Sequence, residues 1–86
     1  MTTESEMVFV YIIQSEIDNG YYIGICKDIL IRINKHNIGG VVSTRHRKPF
    51  KLVYSEEYNN YGDARNREKQ IKSYKGGNAF KRLITK

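Results

Sequence analysis

Apolar residues run without interruption from Met7 to Ile13 (MVFVYII), β-branched and aromatic throughout, the pattern of a strand covered on both faces and central in its sheet. The polar stretch Ser15–Gly20 holds an Asn-Gly pair, which tolerates positive φ. Tyr21–Ile25 then returns as a second strand, so the two form an antiparallel hairpin. Alternation puts Phe9, Tyr11 and Ile13 on one face of the first strand, and Tyr22 with Gly24 on one face of the second, so two tyrosines converge. A glycine inside a strand marks a bulge or the close approach of another group.

Asp28 is placed to cap a helix from Ile29 to about Asn37, which Gly39-Gly40 ends. At 100° per residue, Ile29, Leu30 and Ile33 are expected as its core stripe. Arg32 and His36 lie one turn apart at the stripe's edge, bordering a cleft or simply flanking the helix in solvent. Val41–Lys51 reads as a loop with at most a short helical turn, Phe50–Ser55 as a third strand, and Tyr61–Tyr74 as a long helix. Gly76-Gly77 then precedes a last amphipathic helix bearing Ala79, Phe80, Leu83 and Ile84. The expected class is α+β, within the broader α/β description: a three-stranded antiparallel sheet flanked by helices, with residues 1–86 forming one domain.

Charge narrows the partners. Fifteen Lys and Arg against nine Asp and Glu give a net charge of +6, and no base precedes Lys27, whereas Glu4, Glu6, Glu16 and Asp18 all do. Polyanions suit such a surface, although a lysine-rich solvated face has the same composition. The single Cys26 excludes an internal disulfide and reads as a small buried filler; no zinc-ligand spacing is present. The acidic start MTTESEM does not fit a secretory leader, and Met7–Ile13 is too short to span a bilayer. A soluble, cytoplasmic protein with no membrane partner is expected.

One position stands out in the long helix. Ala64, Glu68 and Ile71 share a stripe, with Tyr61 above and Lys72 beside it. A carboxylate on a buried stripe needs a cationic partner, a hydrogen-bond network or a metal ion. A Glu68–Lys72 pair at i,i+4 would meet that need with no function attached.

Taken in order, Val10-Tyr11-Ile12, Tyr22-Ile23-Gly24, Arg32-Ile33-Asn34-Lys35-His36 and Ala64-Arg65-Asn66-Arg67-Glu68 resemble the GIY-YIG nuclease superfamily. The likeness is to its small stand-alone bacterial members and to the nuclease module of nucleotide-excision repair. It spans nearly the whole chain and departs at the first triad, where Phe9 and Val10 stand in place of Gly-Ile. The resemblance implies an endonuclease that hydrolyses phosphodiesters of nucleic acid, DNA being the expected substrate and DNA repair the setting. It implies Glu68 as the protein ligand of Mg²⁺ or Mn²⁺, Arg32 as the group that neutralises transition-state charge, and Tyr11, Tyr22 and His36 as the remaining catalytic residues.

Tyr11 is the expected base, with Tyr22 and His36 as alternatives. Bringing a phenol from pKa 10 to about 7 takes roughly 4 kcal/mol of neighbouring positive charge, expected from Arg32, His36 and the metal. The cluster Arg45-His46-Arg47-Lys48, with Lys51, Arg65, Arg67, Lys69 and Lys72, suits phosphate contacts that carry little sequence preference. Asn78 either matches a polar residue of the family beyond the glutamate helix or caps the last helix. The competing reading is a non-catalytic nucleic-acid-binding module of the same fold.

Overall fold

The structure, a computed structural model, describes residues 7–85. The acidic start weighed against a secretory leader falls largely in residues 1–6, outside the described residues. Strand β1 (Val8–Ser15) lies between β2 (Tyr21–Cys26) and β3 (Phe50–Tyr58), antiparallel to both. Helix α1 (Ile29–Asn37) joins β2 to β3 through a loop containing one 3₁₀ turn at Arg45–Arg47; α2 (Tyr61–Ser73) and α3 (Asn78–Ile84) follow. The expected three-stranded α+β arrangement is the one observed. Among the described residues no helix is long and apolar enough to cross a membrane.

Central placement explains the unbroken apolar run of β1. Its alternate residues feed two separate clusters. Val8, Val10 and Ile12 pack with Ala64, Ile71 and Phe80 under α2 and α3, while Tyr11 and Ile13 pack with Cys26, Phe50, Ile29 and Ile33 under α1. Phe9, which replaces the glycine of the first motif, packs partly buried on the α1 side. Between β1 and β3 the register shifts at Ile12/Ile13, where Val53 is the extra residue. The bulge lets Val53 and Tyr54 both reach the α2 side.

The turn after β1 is closed by the Ser15 hydroxyl, which accepts from the amides of Ile17 and Asp18 and donates to the Arg47 carbonyl at 2.6 Å. Asn19 takes the positive φ, 61°. Asp28 caps α1 by accepting from the Ile31 amide at 3.0 Å. At the other end of α1, Asn37 pairs with the backbone of Phe50, accepting from its amide at 2.7 Å and donating to its carbonyl at 3.2 Å, which fixes the helix on β3.

Two expectations are corrected. Leu30 is not core: it is 81% exposed, because α1 turns Ile29, Ile33 and the fully buried His36 toward the sheet, leaving position 30 about a quarter-turn away. The third strand runs to Tyr58 instead of ending at Ser55, because Glu56 finds partners beneath α2. Arg67 grips both its oxygens, Nε to Oε1 at 2.8 Å and Nη2 to Oε2 at 2.9 Å, while the hydroxyls of Tyr54 and Tyr58 also donate to it.

Burial alone would raise the Glu56 carboxyl, but the hydrogen bonds from Arg67 and the two tyrosines outweigh it and hold the group at about 2. A carboxyl lowered on folding stabilises above its unfolded value and loses that contribution as the pH falls through the folded one. Stability against urea is therefore expected to fall between pH 4.5 and 2 in the wild type. Glu56→Gln is expected to flatten that decline and to cost about 2 kcal/mol at pH 7. Denaturation midpoints across the pH range check both; an unchanged acid limb in the variant would remove Glu56 as its source.

Candidate active site

The sheet separates α1 from α2, and residues of the two helices meet beside the edge formed by β2. Gly24 makes that possible. It lies opposite Tyr11 in the antiparallel register, and a Cβ built on it would stand 2.6 Å from the Tyr11 hydroxyl oxygen and 2.8 Å from Cζ. The Tyr11 ring thus lies across the bare backbone of β2, with its hydroxyl at the edge. Around that edge is a cleft of about 330 Å³. Tyr11, Tyr22 and Arg32 line one side, and Tyr61, Arg65, Glu68, Lys69 and Lys72 of α2 line the other.

Four cationic side chains thus face one carboxylate. Glu68 retains 13% side-chain exposure and is held within its own helix, by Lys72 Nζ to Oε2 at 2.8 Å and more distantly by Arg65 Nε to Oε1 at 4.0 Å. Arg65 also donates to the Tyr61 hydroxyl at 3.2 Å. The i,i+4 pair considered from the sequence is present, and it sits inside the cleft.

His36 does not border the cleft as a helix flank. It is wholly buried behind Tyr11, with Nε2 2.9 Å from the Tyr11 hydroxyl and Nδ1 2.8 Å from Thr44 Oγ1, and it meets the Tyr22 ring edge-on at 5.0 Å. Burial first, then Arg32 and Lys35, hold His36 below its ordinary value, which favours the neutral ring. Tyr11 moves opposite to the expectation. Burial, then Tyr22, push its hydroxyl up to about 12 against the pull of Arg32. Burial outweighs the positive field of Arg32 at this hydroxyl.

The basic residues divide. Arg32, Arg65, Lys69 and Lys72 line the cleft, whereas Arg45, Lys48 and Asn78 are exposed outside it. Arg47 pairs with Asp18 at 3.0 Å with its guanidinium over the Phe50 ring, and Arg67 pairs with Glu56. Asn78 is not a cap: Gly77 occupies that position and Asn78 is the first residue of α3.

Residues 7–81 match the GIY-YIG catalytic domain. The chain belongs to the GIY-YIG family. UPF0213 proteins of Staphylococcus aureus, those of strains Mu3 and Mu50 among them, are 43% identical to it over 67 residues, covering 77% of this chain and 80% of theirs. The solution NMR structure of the UPF0213 protein BH0048 from Bacillus halodurans is 32% identical, covers 78% of this chain and 71% of that chain, and superimposes with a TM-score of 0.49. This GIY-YIG chain therefore carries a nuclease-type domain, for which nucleic acid is the substrate class and a divalent metal the usual cofactor.

The donor set fits such an ion in one way. Among the described residues no three His, Cys, Asp or Glu side chains cluster, so no all-protein cage exists. A single carboxylate facing a cleft suits Mg²⁺ or Mn²⁺, which keep water and take phosphate oxygens as their other donors. Glu68 would hold the ion once Lys72 moved off Oε2.

The sequence reading missed Thr44, which no motif marks, and the Glu56–Arg67 pair, whose trace is an acid between two tyrosines at alternate positions of β3. In this GIY-YIG chain Gly24→Ala is expected to push the Tyr11 ring from its place and to cost about 1–3 kcal/mol as an overpacked site. The urea midpoint checks the cost, and nuclear Overhauser contacts between Tyr11 and residue 24 check the displacement. A variant with wild-type stability and the ring unmoved would refute the close-approach argument.

Proposed function

We propose that this chain is a divalent-metal-dependent endonuclease that hydrolyses phosphodiester bonds of nucleic acid, DNA in particular, with residues 1–86 acting as one catalytic domain. The observation that carries the reading is the meeting of Tyr11, Arg32 and the Glu68 carboxylate in one cleft that Arg65, Lys69 and Lys72 also line. A pure phosphate-binding surface gains nothing from a carboxylate there. The resemblance to the excision-repair module supports repair as the setting, and a cytoplasmic enzyme fits it.

The geometry of the cleft supports the following roles. Lys69, Lys72 and Arg65 offer charge to a phosphate backbone entering between α2 and β2, and Arg32 faces the charge that grows on the phosphoryl oxygens. Glu68 would hold the metal, which when bound supplies Lewis-acid polarisation of the phosphate and stabilisation of the leaving oxygen. Tyr11, raised as it is, does not act as a standing phenolate. Its hydroxyl takes a proton from water as it passes its own to His36 Nε2 at 2.9 Å, leaving hydroxide to attack phosphorus and an imidazolium behind. Tyr22 packs against the same imidazole and closes the cleft beside Tyr11.

The Lys72–Glu68 contact supports a second reading, a module of this fold that binds nucleic acid without cutting, since the carboxylate is already neutralised within its helix. Metal dependence separates the two. With flap, hairpin, nicked and branched DNA substrates, the wild type is expected to cut in Mg²⁺ or Mn²⁺ and to stop when EDTA is added. Glu68→Ala is expected to bind with near wild-type affinity while cutting at least about a hundredfold more slowly. Binding by both proteins with cleavage by neither would establish the module instead.

A further inference from the structure

His36 joins the Tyr11 hydroxyl to the Thr44 hydroxyl through its two ring nitrogens. Arg32 lines the cleft with Tyr11, but a guanidinium has only donors and cannot take the Tyr11 hydrogen. The Tyr11 hydrogen then needs an acceptor, and His36 Nε2 stands 2.9 Å away. A neutral imidazole that accepts at Nε2 carries its proton on Nδ1, and 2.8 Å from Nδ1 is the hydroxyl of Thr44. That hydroxyl in turn faces the Val41 carbonyl at 3.4 Å, to which it can only donate. Thr44 is wholly buried. It precedes the 3₁₀ turn without making a side-chain cap to it, so its oxygen is committed to the histidine.

We propose that Thr44 is a positioning residue that fixes the tautomer of His36: by accepting from Nδ1–H, it leaves Nε2 as the proton acceptor for Tyr11. The inference rests on the nuclease reading for its catalytic use, but the tautomer is a property of the resting protein. With the opposite tautomer, Nε2–H would point at the Tyr11 oxygen, and the phenol's proton would have no base behind it. The step set by Thr44 conserves atoms. One proton moves from Tyr11 O to His36 Nε2 while another moves from water to Tyr11 O, and the Nδ1 proton stays on His36, donated to the Thr44 oxygen.

Nitrogen-15 NMR of the histidine rings in the intact chain tests this without reference to cleavage, since the one other histidine, His46, is exposed and serves as the control. In the wild type near pH 7, His36 is expected with Nδ1 protonated and Nε2 bare. Thr44→Val, close in shape but unable to accept, is expected to shift the ring toward the Nε2-protonated form, and Thr44→Ser to restore it. In cleavage assays the Val variant is expected to lose about tenfold or more in kcat with KM little changed, and the Ser variant to recover it.

A wild-type ring protonated on Nε2, or a folded Val variant that keeps the wild-type tautomer, overturns the proposal. So does a Val variant with a switched tautomer and undiminished kcat. If Thr44→Val does not fold, the wild-type and Ser spectra still decide the tautomer. If the wild type cuts nothing, the nuclease reading fails while the tautomer result stands on its own.

Discussion

The contact on which the site depends is the passage of the Tyr11 ring over the bare backbone of Gly24. An antiparallel pair places opposed side chains on the same face, where they compete for space. Removing one of them lets the other lie flat across the neighbouring strand. Tyr11 is thereby carried from the middle of the sheet to its edge, where a hydroxyl that would otherwise be sealed under α1 reaches the cleft shared with α2. Arg32 and His36 converge on that hydroxyl from α1, and Glu68 faces it from the far side of β2.

Charges elsewhere in the molecule are arranged to leave this edge positive. Asp18 and Glu56 are each occupied by an arginine outside the cleft, Arg47 and Arg67. The cleft therefore keeps an excess of cations around its one carboxylate. The Glu56 network fastens β3 to α2, the helix that bears Glu68, so a polar cluster outside the cleft sets where the carboxylate stands.

Much of the fold was legible because its signals are local. The apolar run of β1, the Asn-Gly turn and the Asp28 cap each depend on a few neighbouring residues, and each is where the sequence places it. Leu30 was misjudged because a periodicity argument treats histidine as a flank residue, whereas His36 is buried through bonds to Tyr11 and Thr44 that lie 25 and 8 residues away. The tyrosine, arginine and glutamate motifs could be read in order, and the cleft contains Tyr11, Tyr22, Arg32 and Glu68 together. The basic loop could not be apportioned, since only tertiary pairing reveals that Arg47 belongs to Asp18. Thr44 left no trace, because one threonine in a polar loop looks like any other.

The two sides of the cleft differ in how firmly they are held. Tyr11 belongs to a strand hydrogen-bonded along both edges, whereas Glu68 rides on a helix seated through side-chain packing and the Glu56–Arg67 clasp. The gap between hydroxyl and carboxylate thus has one stiff wall and one compliant wall. Any change in the width of the gap therefore costs least when α2 shifts along its seam and the sheet stays still.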